Sequence, residues 1–266
     1  MNQVKRSKFD IRDYRIKPQA IDFPEQYELP KIPVRNQGSS PTCTAHAAAA
    51  LIERFNLKET GEYTLFSTEF IYGSQLDTAF DGMSVREAVK ILKDYGDPKL
   101  EDCPGNHKIE EASKNVQKNF EEYVSLAYPY RIEKYYRVKT MDEIKTAILS
   151  GSPVIFYFFT KEGAKIRKGV YTYSNDTNSG AHCMLIVGWN TIGWICQNSW
   201  GPDSGIDGYF TLPYSFEIND AFGAVDMVND TSINLVVKKK SVLRTLLYKT
   251  INLIMNLVYS IKYKNK

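Results

Sequence analysis

Histidine and cysteine are scarce in this chain, three of one and four of the other among 266 residues, and that scarcity limits its chemistry. Four cysteines cannot make a disulfide framework for a chain of this length, so free thiols are the simpler state, with a Cys183–Cys196 cross-strand bond as the sharper alternative. Cys103 and His107 are spaced as two metal ligands could be, but no second pair at zinc spacing accompanies them. Neither a metal nor a cofactor is therefore expected. Met1 to Asp10 carries basic residues but no apolar core of signal-peptide length, which argues against classical secretion.

A basic excess is also missing from most of the chain. Residues 236–266 hold eight lysines or arginines and no acid, so a total of +3 leaves −5 for everything before them and gives no ground for a nucleic-acid partner there. Thr245, Lys249, Asn252, Asn256 and Ser260 form one polar stripe on an otherwise apolar helical pattern. Leu246 to Ile261 is short for a span of about 20 residues, although basic residues flank it. Its expected place is a membrane surface or marginal tail anchor, or else docking on its own core or on a partner. The corresponding localisation is cytoplasmic, or membrane-associated through this helix.

What the chain does contain is concentrated chemistry. Asn36-Gln37-Gly38-Ser39-Ser40-Pro41-Thr42-Cys43 places a glutamine six positions before a cysteine that opens an alanine-rich helix read as Ala45 to Phe55. The Gly-Ser-Ser-Pro segment cannot be helical and Thr42 can cap, so Cys43 falls in the first turn. There the unpaired N–H groups and the helix dipole favour a thiolate. A nucleophile of this kind needs a base, and His182 opens an apolar strand-length run, His182 to Trp189. A second run, Trp194 to Gln197, leads into Asn198-Ser199-Trp200-Gly201, and the intervening Asn190 to Gly193 reads as a hairpin turn. That hairpin would bring Asn198 beside His182, with Trp200 shielding their hydrogen bond. His46 reads as a buried structural histidine bonded to a carbonyl or a water.

The order glutamine, cysteine, histidine, asparagine, with the asparagine inside Asn-Ser-Trp-Gly, resembles the papain and cathepsin family of cysteine proteases. His182 and Asn198 follow Cys43 by 139 and 155 residues. Asn198 to Tyr209, Gly151-Ser152-Pro153-Val154, Gly169-Val170-Tyr171 and Tyr128-Pro129-Tyr130 also look like segments of that family. The resemblance implies an α+β, two-lobed fold, a helical lobe and a β-barrel-like lobe with the active-site cleft between them. It implies an endopeptidase working on polypeptides through a Cys43 thioester, His182 as acid and base, Asn198 orienting the ring, and Gln37 with the Cys43 N–H holding the oxyanion. A transpeptidase or acyltransferase on the same site, and a weakly catalytic binding module, are the alternatives. Gly82, Asp81, Trp200 and Ala181 fall where the family contacts substrate, and either Asp226 or Val225 would floor the selective pocket.

Departures from the pattern are as informative. Ser40 stands where a half-cystine is usual, and Phe80-Asp81-Gly82 replaces its partner region, so that disulfide is absent, as in disulfide-poor bacterial and viral members. Thr44 and His46 replace the tryptophan and phenylalanine that usually come after the cysteine. Residues 28–235 read as the catalytic domain, with the helical lobe about 36–125 and the β lobe about 126–235, and residues 236–266 as the C-terminal helix. Residues 1–27 read as a short plug or lead-in, with weak autoinhibition at most.

Overall fold

The computed structural model describes residues 4–5, 7, 16, 22–75, 82–105 and 109–227. Two short strands, β1 (Val4–Lys5) and β2 (Tyr27–Glu28), precede helix α1 (Cys43–Thr60). Then come α2 (Thr68–Gly73), β3 (Met83–Ser84), α3 (Val85–Asp94), α4 (Ile109–Lys118), α5 (Phe120–Ala127) and a 3-10 turn at Tyr128–Tyr130. The second half holds β4 (Ile132–Arg137), α6 (Met141–Leu149), β5 (Val154–Lys161), β6 (Lys165–Arg167) and β7 (Val170–Thr172). It ends with β8 (Asn178–Trp189), β9 (Gly193–Gln197), β10 (Tyr209–Pro213) and β11 (Asn219–Asp226).

Local chemistry explains the helix ends. Ser67, Ser84 and Thr140 each accept a hydrogen bond from the backbone N–H three residues on, and Thr140 with Glu143 forms a reciprocal capping box. Gly61 closes α1 in the left-handed region at φ 76°. The Thr42 side chain, expected to cap α1, does not do so. Its hydroxyl is held instead by Ser40 Oγ at 2.6 Å.

The long strand β8 organises the molecule because it is buried on both faces and its side chains alternate between them. Ala181, Cys183, Leu185 and Val187 pack with α1, α2 and α3 in one core, while Met184, Ile186 and Trp189 pack with α6 in a second. Each fully buried aliphatic side chain contributes about 1.5–3 kcal/mol, so both faces are strongly specified. Neighbouring β5 alternates the same way, with Ile155 and Tyr157 toward the first core and Val154, Phe156 and Phe158 toward the second.

The sheet corrects the barrel-like expectation. Its order is β4-β11-β5-β8-β9-β10-β7-β6, with β2 added on β8, and the terminal strands β4 and β6 do not pair with each other. β6 is only three residues, and its two charged ends, Lys165 and Arg167, are exposed, which suits an edge facing water and not a closure seam. The fold is a two-lobed α+β structure with an open mixed sheet. The Cys183–Cys196 bond is also excluded, since Cys196 lies opposite Ile186 and none of the four buried cysteines is in a disulfide.

The localisation expected from a C-terminal helix does not stand. Among the described residues no helix is long and apolar enough to cross a membrane. The stretch 236–266 on which that expectation rested lies outside the described residues, as do Asp81 and His107.

Candidate active site

Strand pairing carries the base side of the site. His182 sits on β8 opposite Phe158 of β5, and the β8–β9 hairpin delivers Asn198 immediately after β9. His182 Nε2 lies 2.7 Å from Asn198 Oδ1, which requires the ring to donate from Nε2. Trp200 stacks on the imidazole at 4.5 Å between centroids, and Phe158 meets it edge-on at 6.3 Å. The hairpin and the shielded histidine–asparagine bond expected from the sequence are both present. Gly201 then turns the chain at φ 84°, and its N–H bonds to Arg35 O at 3.1 Å.

The nucleophile side is held mostly by side chains. Cys43 is the first residue of α1 and fully buried. Thr44, in place of the family's tryptophan, donates its hydroxyl to Met83 O at 3.1 Å, tying the helix start to β3 beside Gly82. Gln37 N donates to Ser199 O at 2.8 Å, Gln37 Oε1 accepts from Ser199 Oγ, and Gln37 Nε2 donates to Ser40 O at 2.8 Å. The amide plane is thereby fixed, and its nitrogen carries two hydrogens. Ser199 is the residue that sequence reasoning passed over, although it lay inside the recognised Asn-Ser-Trp-Gly motif.

Electrostatics depart from the expectation of a thiolate. Burial pushes the Cys43 thiol up, opposed by the Cys183 backbone N–H and by Thr44. Burial pulls His182 down to about 4, against the raising effect of Asn198. In this arrangement burial disfavours the charged form of both groups. His46 bonds to the Thr42 carbonyl through Nδ1 at 3.0 Å, as expected, and burial with the nearby Arg35 and His182 charges lowers it to about 4.

The substrate-contact residues divide. Trp200 is 37 % exposed on the histidine, Ala181 is buried on β8, and Gly82 has φ 100°, a conformation open to glycine and strained for other residues. Asp226 is no pocket floor. Its carboxyl, raised to about 7 by burial and by Glu59, lies with Glu59 and Lys58 near the far end of α1. Glu59 is roughly 24 Å along the helix axis from Cys43 at 1.5 Å per residue.

Comparison with known proteins agrees with this geometry. The family described as papain family cysteine protease matches residues 17–228. A peptidase C1-like protein of Acanthamoeba polyphaga mimivirus is 27% identical over 253 residues, covering 85% of this chain and 76% of that protein. The crystal structure of xylellain, a cysteine protease from Xylella fastidiosa, superposes with a TM-score of 0.73 at 25% identity, covering 85% of this chain and 96% of that one. Procathepsin B S9 from Trypanosoma congolense shares the fold at 14% identity with a TM-score of 0.67, covering 86% of this chain and 87% of that one. With residues 17–228 matched, the chain belongs to the papain family of cysteine proteases and is a cysteine-type endopeptidase.

Proposed function

We propose that Cys43, His182, Asn198 and Gln37 carry the endopeptidase reaction in the roles their positions suggest. The observation that carries this reading is the His182–Asn198 bond at 2.7 Å beneath Trp200, on the strand whose next residue, Cys183, presents its N–H to the Cys43 thiol. Transfer of the thiol proton to His182 creates the attacking thiolate, whose sulfur bonds to the peptide carbonyl carbon. The oxyanion is held by the Cys43 backbone N–H and Gln37 Nε2. His182 then gives its proton to the leaving amine, and later removes one from the water that hydrolyses the thioester. Asn198 accepts from Nε2–H throughout, so Nδ1 is the nitrogen that exchanges the proton.

The burial of Cys43 and His182 is consistent with residues 1–27 acting as a short plug. Val4–Lys5 pairs in parallel with Met83–Ser84 next to Gly82, and buried Val4 shares a core with Cys43 and Cys183. Ser7 N donates to Asp220 on β11, while Arg86 N on α3 donates to Ser7 Oγ at 3.3 Å, so this short segment holds to both halves. Removing residues 1–7 is expected to raise peptide turnover about 10-fold, a change of about 1.4 kcal/mol and more than the weak effect expected from length alone. Unchanged turnover would leave the segment as a lead-in.

The direct test is labelling with an epoxide selective for papain-type thiols, followed by mass mapping. One adduct on Cys43, lost in Cys43→Ala and strongly slowed in His182→Ala, is the expected result. Folded, reduced protein lacking residues 1–7 that takes no adduct would overturn the assignment.

A further inference from the structure

We propose that Arg35 is a positioning residue for the oxyanion side of the reaction, holding Gln37 between the nucleophile's helix and the segment just after Asn198. This rests on the reading of Gln37 as an oxyanion donor. Arg35 lies two residues before Gln37, and its backbone and side chain belong to opposite halves of the site. On the backbone side, Arg35 O accepts from Gly201 N at 3.1 Å, Asn36 bridges to Trp200, and Gln37 N donates to Ser199 O. These contacts stitch residues 35–37 to residues 199–201.

The side chain runs the other way. Arg35 Nη1 donates to Phe66 O at 2.8 Å, and Nη2 lies 3.0 Å from Glu53 Oε1. Glu53 is on α1, ten residues beyond Cys43, and is 1 % exposed. Its carboxylate also accepts from Phe66 N at 3.3 Å and from Tyr63 OH at 3.1 Å, so the anchor is itself held from three directions. The planar guanidinium serves a carbonyl and a carboxylate at once, which a single ammonium cannot reproduce.

A second acid, Asp97, is fully buried nearby, with the Ser67 backbone N–H as the one group that favours its charged form besides Arg35. Burial pushes both Asp97 and Glu53 above the usual carboxylate range, and the Arg35 guanidinium opposes that shift at each, directly at Glu53 through the 3.0 Å ion pair. The strut thus couples the helix that carries the thiol to the glutamine loop, and through that loop to the carrier of Asn198. A turn that depends on two anchors swings when one is cut. The group displaced is Gln37, while Cys43 and His182 keep their own supports.

The test separates oxyanion stabilisation from formation of the nucleophile. Alkylation of Cys43 by iodoacetamide needs the Cys43–His182 pair but no oxyanion hole, whereas amide hydrolysis and capture of a peptide aldehyde need both. For Arg35→Lys and Glu53→Gln in the full chain, kcat on a peptide amide should fall about 10–50-fold, part of the 10²–10³ that loss of a whole donor costs. KM should stay within about twofold, aldehyde affinity should weaken alongside kcat, and the alkylation rate should stay within about twofold. Thermal melting of both variants checks that they are folded at the assay temperature. Unchanged amide turnover, or an alkylation rate that falls by the same factor as turnover, would overturn the proposal. If wild-type Cys43 shows no His182-dependent alkylation, the assignment of the nucleophile fails first and this inference with it.

Discussion

The two sides of the candidate site hold their proposed reacting groups by different means. His182 and Asn198 are placed by backbone ladders, since β8 is paired on both edges and the hairpin register sets which residue emerges at the end of β9. Cys43 and Gln37 are placed by a helix start, by one short backbone bridge between residues 35–37 and 199–201, and by scattered side-chain contacts, one of them joining Gln37 to Ser199 across 162 residues. A ladder specifies position through many equivalent bonds, so losing one side chain leaves the backbone in place. A side-chain clasp has few members, and each one matters. The comparison teaches that the base should be robust in position and vulnerable in chemistry, and the oxyanion side the reverse.

Core substitutions test the ladder side with the largest effect. Phe158→Ala removes a fully buried ring that touches the His182 edge and should cost about 3–5 kcal/mol in urea unfolding, with turnover reduced in the remaining folded protein. Phe70→Ala makes the same deletion in the helical half, against Phe120 and Tyr123, and should cost as much stability while folded protein keeps its kcat. Equal losses of kcat in the two variants would break the comparison.

Asn198→Ala leaves the ladder intact and removes the acceptor for His182 Nε2–H together with a long donor contact to Ser204 Oγ at 3.4 Å. The expected result is a fall in kcat of about 10²-fold, at the low end for a positioned acid–base group, with a melting temperature close to that of the parent. A fall in stability as large as that of Phe158→Ala would show that Asn198 is structural.

The smallest effect concerns His46 on the clasp side. Its pKa is lowered to about 4 from an ordinary 6.5, so the unfolded chain takes up that proton before the folded one does. Stability therefore falls as pH drops through this window, by about 1.4 kcal/mol per unit at most. His182 makes a like contribution in the same direction. Buried carboxyls with raised pKa, Asp97 among them, act oppositely, so the informative quantity is a difference between variants. His46→Phe should lose about 2 kcal/mol less than the parent between pH 7 and 4.5 in urea unfolding. Parallel pH dependence of the two proteins would sink this assignment.

Much of the fold is legible in the sequence because period and capping are local. The alanine-rich helical pattern over Ala45–Phe55 lies inside the observed α1, and the two apolar runs locate β8 and β9, which begin earlier, at Asn178 and Gly193. Short or half-polar elements escape such a reading. β4, β6, β7 and β11 show no long apolar run, and β1 and β2 are two-residue strands that exist only through their partners. The open sheet escapes for a related reason, because closure depends on which edges meet and not on any one strand's pattern.

By itself the sequence determined the family, and it singled out Cys43, His182 and Asn198 for the roles proposed above, because those residues sit in contiguous motifs whose spacing and side-chain chemistry are local properties. Only the tertiary structure decided that burial works against the charged forms of the thiol and the imidazole, since desolvation depends on everything packed around them. It alone joined Arg35 to Glu53, Gln37 to Ser199 and Val4–Lys5 to Met83–Ser84. Those partners lie far apart along the chain, and a polar or charged residue carries no sign in the sequence of which distant group will satisfy it once both are buried.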